Sequence, residues 1–151
     1  MNPVRSLIAK HPFLADLDSD SLDALSKFAM ERIFENGTLI FEQGDTASRF
    51  YLINSGNVLV SSEARSGEKV EIEMLGAGDV LGWSWLFEPF QWQFDAQAVG
   101  ETETIFFYAT PLLAYLEENP AFGYELMRRV AAITIRRLQK TREKLVARAV
   151  A

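Results

Sequence analysis

The residues best suited to contact a small molecule fall in one short segment of this 151-residue chain. Six aromatic side chains, including all three tryptophans, lie within twelve residues: Trp83, Trp85, Phe87, Phe90, Trp92 and Phe94. The polar side chains among and beside them are Ser84, Gln91, Gln93 and Asp95. Rings that supply apolar contact area, with a few polar groups to fix orientation, are typical of a ligand pocket. Aromatic clusters also fill protein cores, so the segment is interpreted either as a pocket or as a hydrophobic plug.

The residue types that carry most covalent and metal chemistry are scarce. The chain has no cysteine, which excludes disulfides, thiolate zinc sites and a cysteine nucleophile. Its single histidine, His11, precedes Pro12 near the N-terminus, where a lone histidine is more often structural than a metal ligand. No glycine-rich loop ends in Lys-Ser or Lys-Thr. We therefore expect a protein that is not an enzyme and that carries no metal or cofactor.

Charge is distributed unevenly along the chain. Residues 1–119 carry 7 basic and 19 acidic residues, whereas residues 120–151 carry 8 basic and 2 acidic residues. The acidic body repels phosphate backbones, so nucleic-acid binding is not expected of it. The basic segment suits the C-terminal half of a helix, where cations favour the helix dipole. No apolar run is long enough to span a bilayer or to act as a secretory signal, and we expect a cytoplasmic protein without membrane contact.

From Glu31 to Ala109 the pattern is that of a β-protein. Short apolar runs alternate with Gly-, Asn- and Asp-containing turns every ten or so residues, which indicates a sandwich or barrel. Segments 49–53 and 58–62 flank a glycine-containing loop and are predicted to form a hairpin. Between positions 70 and 75, Val70, Ile72 and Met74 alternate with their neighbours, so one face of that strand should be buried.

Helices are predicted at both ends of the β-region. Asn2 and Pro3 match a cap and first helical position, and Asp18 or Ser19 can cap a second helix. That second helix should carry Leu22, Leu25, Phe28 and Ala29 on one face. Thr110-Pro111 begins another helix, and a helix of twenty-five residues or more follows Asn119-Pro120. One face of this last helix carries an apolar stripe at spacings of four and three: Met127, Ala131, Thr134, Leu138, Thr141 and Leu145. The stripe either pairs with the same helix of a second copy or forms the modestly apolar face of a solvated helix.

Three glycine-containing motifs occur in order along the chain. They are Leu39-Ile40-Phe41-Glu42-Gln43-Gly44-Asp45, the segment from Phe50 to Val58 that contains Gly56, and Gly76-Ala77-Gly78-Asp79-Val80-Leu81-Gly82. Together with the order of elements they resemble the cyclic-nucleotide-binding domain family over roughly residues 10–145. The resemblance implies a mainly β fold, a double-stranded β-helix jelly roll with short N-terminal helices and a long C-terminal helix. Gly44, Gly56 and Gly78 are expected where the backbone needs a positive φ.

The same resemblance places the ligand-binding cassette at residues 81–96. In the family a Gly-Glu pair opens the cassette and holds the ribose, and a later arginine neutralises the cyclic phosphate. Gly82 matches, Trp83 stands in place of the glutamate, and the arginine falls among Gln91, Trp92 and Gln93. No lysine or arginine occurs between Lys69 and Arg128, so we do not expect cAMP to bind in the usual way. The candidate ligand contacts are Gly82, Trp83, Ser84, Trp85, Gln91, Trp92, Gln93, Phe94 and Asp95.

We therefore predict a regulatory or sensor domain. Residues 1–119 form the jelly roll, and residues 120–151 form a helix for dimerisation or signalling, with no DNA-binding domain in the sequence. The expected partners are a small apolar or aromatic effector and a second copy of the chain. A ligand-free protein-interaction module is the alternative, followed by a truncated transcriptional regulator.

Overall fold

The structure is a computed structural model that describes residues 3–150. Asn2, predicted as a helix cap, lies outside the described residues. The chain divides into two compact units, one that extends to Ala114 and one that starts at Tyr115. No helix among the described residues is both long and apolar enough to cross a bilayer.

Two short helices and a 3₁₀ turn precede the sheet. Helix α1 spans Pro3–Lys10, the turn spans Pro12–Leu14 and α2 spans Ser19–Ser26. Asp18 is the cap of α2, because its carboxylate accepts the Ser21 N–H at 2.7 Å, and hydrogen bonding to the side chain and then to the backbone of Ser21 lowers the pKa of Asp18. The predicted helical face ran on to Ala29, which was wrong. Ala29 instead pairs with Phe107 and starts the first strand, so tertiary pairing overrides the helical spacing.

Within residues 3–150 the sheet contains six antiparallel strands. They are β1 (Ala29–Phe34), β2 (Leu39–Phe41), β3 (Arg49–Glu63), β4 (Lys69–Gly76), β5 (Val80–Leu81) and β6 (Asp95–Tyr108). Their main order is β1-β6-β3-β4, with β2 on β6 and β5 on β3. The mainly β roll with short N-terminal helices and a long C-terminal helix confirms the predicted fold. Its core is rich in fully buried large side chains, among them Phe50, Leu52, Ile105 and Phe107.

The predicted hairpin around Gly56 is wrong. Segments 49–53 and 58–62 belong to one continuous fifteen-residue strand, β3, which pairs along its length with β6. The pairing register shifts on both sides of Ser55, so the glycine-containing segment is a bulge within a strand. Gly56 has φ +86°, and Gly44 and Gly78 also have positive φ, as expected. A turn-forming residue pattern thus bends a strand here without reversing it.

The buried face of β4 also differs from the simplest expectation. Val70, Ile72 and Met74 are 46%, 39% and 52% exposed, whereas Leu75 on the other face is buried. Strand β4 is the last in the order β1-β6-β3-β4. Alternation predicts that the two faces of a strand differ, but it does not specify which of them the rest of the fold covers.

His11 connects the N-terminal turn to the sheet. Its buried ring accepts the Phe13 N–H at Nδ1 (3.2 Å) and contacts the Ile53 carbonyl through Nε2 (3.0 Å). These two partners fix the neutral tautomer with the proton on Nε2, which donates to Ile53. Burial lowers the pKa of His11, opposed by hydrogen bonding to the Ile53 and Asp79 backbone and by the Asp79 charge. The histidine is structural, as expected.

The domain should lose stability when His11 becomes protonated. Because the folded-state pKa lies below the unfolded value, the contribution of His11 is complete above about pH 6.5 and is lost as pH falls through the folded pKa. Urea unfolding of wild type and His11→Gln at pH 7.5 and 5.5 measures this, because the variant differs from wild type only in the histidine. We expect a larger drop in the free energy of unfolding for wild type. Equal drops would contradict this role of His11.

The second unit is helical. Helix α3 spans Ala109–Glu118 across the unit boundary, and α4 spans Pro120–Val150, which confirms the predicted long helix. At the corner between them a Cβ on Gly123 would lie 2.9 Å from the Leu116 carbonyl oxygen, and the Tyr115 and Phe122 rings pack edge to face. The corner therefore requires a residue without a side chain.

Candidate functional site

The candidate residues lie on a loop between β5 and β6, residues 82–94, called here the cassette loop. Its first part turns on itself, where the Leu86 N–H bonds to the Trp83 carbonyl at 2.9 Å. Its second part runs beside the loop before β3. There the Trp92 N–H donates to Asp45, the Gly44 N–H to Trp92 and the Ala47 N–H to Phe90, at 2.7–2.9 Å. These backbone bonds anchor the segment that carries the aromatic residues.

Gly82, Trp92 and Phe94 come together at the start of the loop. Gly82 has φ +68°, and a Cβ built on it would lie 2.9 Å from Trp92 Cζ3 and 3.2 Å from Phe94 Cζ. Glycine is thus required both by conformation and by the rings that close over its backbone. The position that matches the family glycine is covered by two of the aromatic side chains.

Trp92 is a core residue. It is 2% exposed and stacks on Phe41 of β2, with ring centroids 3.8 Å apart and an interplanar angle of 7°. Phe94 approaches the same two rings, and Tyr51 of β3 approaches Phe41 from another direction. The second half of the cassette loop is therefore packed onto strands β2 and β3.

Trp85 points to a different part of the core. It is 0% exposed and packs on Phe50 of β3, with centroids 4.7 Å apart. Its buried indole Nε1 has no hydrogen-bond partner among the described residues. A buried donor without an acceptor costs about 1–3 kcal/mol, so packing of the ring must offset that loss.

The candidates other than Gly82, Trp85 and Trp92 are less buried. Trp83, Ser84 and Phe94 are half-buried, and Gln91 and Gln93 are exposed, with the Gln93 amide donating to the Gln91 carbonyl at 3.0 Å. Phe87 and Phe90 are exposed as well. Phe90 has φ +55°, a left-handed conformation that is costly for a bulky residue. The nine predicted contacts thus differ in burial. Gly82, Trp85 and Trp92 are buried, Gln91 and Gln93 are exposed, and the other four are half-buried.

Asp95 is held by the loop between β2 and β3 and by strand β4. One carboxylate oxygen accepts the Gln43 N–H at 2.7 Å, and the other lies 3.3 Å from the ammonium of Lys69 on β4. The sequence correctly excluded a cation within the cassette loop, but it missed a cation that arrives from a neighbouring strand. Phe41, Gln43 and Lys69 were not identified as site neighbours. The only signal for Phe41 and Gln43 was their position in the first glycine motif.

The arrangement offers binding surface but no reactive group. Within residues 3–150 no cluster of three or more His, Cys, Asp or Glu side chains could hold a metal ion. Two cations, Arg65 and Lys69, line a cavity together with Asp95, and Lys69 already has Asp95 as an ion-pair partner. What this loop can do chemically is pack rings and present half-buried polar groups.

Comparison with known proteins identifies the family of the domain. A family model described as the cyclic nucleotide-binding domain matches residues 31–119. The cyclic AMP receptor protein of Thermus thermophilus is 27% identical over 129 residues, covering 85% of this chain and 58% of the relative. The chain thus spans less than two thirds of that relative's length.

Two solved structures have the same fold. A putative cyclic nucleotide-binding protein from Geobacter metallireducens is 25% identical, with a TM-score of 0.76 and coverage of 91% of this chain and 98% of that chain. A cyclic nucleotide-binding domain from Methylobacillus flagellatus is 15% identical, with a TM-score of 0.85 and coverage of 97% and 85%. The second likeness concerns fold alone. With the family model covering more than half of its length, this chain belongs to the cyclic nucleotide-binding domain family.

Proposed function

We propose that this chain is a non-enzymatic regulatory domain that does not bind cAMP in the usual way. The observation that carries the proposal is the closure of Gly82 by Trp92 and Phe94, with Trp83 in the position of the ribose-binding glutamate. A cyclic phosphate brought there would be desolvated against rings, without an arginine to neutralise it. By resemblance to CRP-like regulators, we place the domain in the cytoplasm.

An apolar or aromatic effector fits the remaining surface better than a cyclic nucleotide. Trp83 supplies a half-buried ring, and Ser84 and Gln93 supply polar groups nearby in the loop. Such an effector would be read out through a shift of the C-terminal helix, as a change in the population of two helix positions. The acidic charge of residues 1–119 opposes nucleic-acid binding by this part of the chain.

A ligand-free protein-interaction module is the second candidate. It is favoured by the near-complete burial of Trp85 and Trp92, which makes those two rings part of the core. In this case the cassette loop is a plug, and the basic α4 helix contacts an acidic partner. A truncated transcriptional regulator ranks third, supported by the names of the curated relatives.

Intrinsic fluorescence separates the first two candidates, because all three tryptophans lie in the cassette loop. We expect n-octanol, a non-fluorescent apolar probe, to change the tryptophan emission saturably in the folded protein, and Trp83→Leu to weaken the response severalfold. Phe87→Leu, at a half-exposed ring, is the matched control. Emission that does not respond to the probe, in a protein that stays folded, would favour the ligand-free module.

Helix α4 supports a homodimer. Along the predicted stripe, Leu138 and Leu145 are exposed. The hydroxyls of Thr134 and Thr141 donate to the carbonyls of Val130 and Arg137, so their methyl groups keep the stripe apolar. Exposed apolar residues at spacings of three and four are typical of helices that pair with another helix.

The stripe predicts a specific effect on assembly. Replacing Leu138 and Leu145 together by glutamine should weaken the dimer at least about tenfold, since each loses about 1 kcal/mol or more of apolar burial. Sedimentation equilibrium measures the dissociation constant. Gln139→Ala, an exposed position beside the stripe, should have no effect. A wild-type protein that sediments as a monomer at 100 µM, about a hundredfold above a micromolar dissociation constant, would contradict the dimer.

A further inference from the structure

A cavity lies on the first unit, away from the cassette loop. It has a volume of about 350 Å³ and is bounded by α1, the 3₁₀ turn, β3 and the turn before β5. Its lining includes Leu7, Lys10, Pro12, Asn54 and Ala77. This volume is near the lower limit of typical ligand pockets, which favours a small molecule.

Some polar groups of this cavity have no partner among the described residues. Within residues 3–150, neither the Lys10 ammonium nor the Asn54 side chain has an ion-pair or hydrogen-bond partner. Ala77 lies inside the turn closed by the Asp79 N–H and the Gly76 carbonyl at 3.0 Å, and its own N–H has no acceptor among the described residues. Such donors around one cationic side chain favour an anion.

The Asp79 carboxylate, whose charge acts on His11, is not among the residues that line the cavity. Asp79 is engaged with its own turn, where its side chain accepts the Gly76 N–H at 2.8 Å. His11, buried at the edge of the cavity, is neutral when both of its ring nitrogens keep their backbone partners. Lys10 is therefore the one cationic group among the lining residues. One positive charge suits a monoanion, and the acidic first unit disfavours polyanions.

The rest of the lining is apolar. Leu7, Pro12 and Ala77 present aliphatic surface next to the donors. A ligand that pairs with the donors and also contacts the aliphatic lining carries one carboxylate on a short apolar body. We propose that this cleft binds a small organic monocarboxylate, with Lys10 as the charge partner and Asn54 and the Ala77 N–H as hydrogen-bond donors.

Such a ligand would contact the turn before β5, the strand that leads into the cassette loop. The Ile53 carbonyl accepts both the His11 Nε2 proton and the Gly78 N–H, which joins the N-terminal turn to the turn before β5. A molecule held between Lys10 and Ala77 bridges the same two segments and stiffens that connection. The proposal stands independently of what binds at the cassette loop.

Nuclear magnetic resonance of the ¹⁵N-labelled full chain tests the proposal with benzoate as the probe. We expect saturable shifts at the amides of Lys10, Asn54 and Ala77. Benzamide, which has the same ring without the charge, should bind about fivefold more weakly, as expected for loss of one exposed ion pair. Equal affinities for benzoate and benzamide, or shifts that grow linearly and spread over the surface, would overturn the proposal.

Variants at Lys10 give the matched comparison. Lys10→Ala should weaken benzoate binding about fivefold, and Lys10→Arg should restore most of it, because the charge is kept. Lys27→Ala removes another exposed lysine of the same unit that does not line the cavity, and it should leave the affinity unchanged. An unchanged affinity in Lys10→Ala, or an equal loss in Lys27→Ala, would show that the cleft does not bind the carboxylate as described.

Discussion

Gly56→Ala is expected to destabilise the first unit by about 3–5 kcal/mol, through overpacking and a disfavoured backbone conformation together. A Cβ at this position would lie 2.5 Å from the Glu101 carbonyl oxygen and 2.7 Å from Thr102 Cα. These are backbone atoms of β6, the strand that pairs with β3, so they cannot move aside without breaking the ladder. Urea unfolding followed by circular dichroism measures the loss.

Gly44→Ala is the matched control for Gly56→Ala. Gly44 has φ +94°, similar to Gly56, but a Cβ there would meet nothing within 4 Å. Its expected cost is about 1–2 kcal/mol, the conformational penalty alone. The difference between the two variants therefore isolates the close approach of β3 and β6. Equal costs would show that the bulge is not sterically constrained.

Trp92→Ala should destabilise the protein by about 3–5 kcal/mol, as is usual for truncation of a buried aromatic side chain. The ring is 2% exposed and stacked on Phe41, and its loss also uncovers Phe94 and the Gly82 backbone. Unfolding by urea at neutral pH gives the magnitude. This prediction follows from reading Trp92 as part of the core.

Phe87→Ala is the comparison within the same loop. Phe87 is 55% exposed, so its truncation should cost less than about 1 kcal/mol. If instead Trp92→Ala were nearly neutral, the ring would not be packing the core, and the second half of the loop would be an open pocket. The free energies of unfolding of Trp92→Ala and Phe87→Ala thus distinguish a plugged loop from an open pocket without a ligand.

The glycine motifs predicted the fold well because they mark backbone conformations. Gly44, Gly56 and Gly78 all have positive φ, and only glycine adopts such angles without cost. The role of Gly56 was nevertheless missed, since a hairpin turn and a strand bulge both require such a residue. Which of the two forms depends on pairing with β6, more than forty residues away, and local pattern does not contain that information.

The sequence predicted which residue types make up the candidate site, but it did not predict which of them contact each other. The aromatic cluster and the absence of cations were evident from the sequence. The stacking of Trp92 on Phe41 and the approach of Lys69 to Asp95 depend on contacts between distant segments. The covered face of β4 was not predictable for the same reason, because alternation along the strand does not reveal which face the rest of the fold covers.

Isothermal titration of the purified protein with cAMP tests the central claim most directly. The rings of Trp92 and Phe94 lie over the Gly82 backbone, and the cassette loop supplies no cation for the phosphate. We therefore expect no saturable heat up to about 1 mM cAMP, which corresponds to a binding free energy weaker than about −4 kcal/mol. Stoichiometric binding with a micromolar dissociation constant would contradict the account.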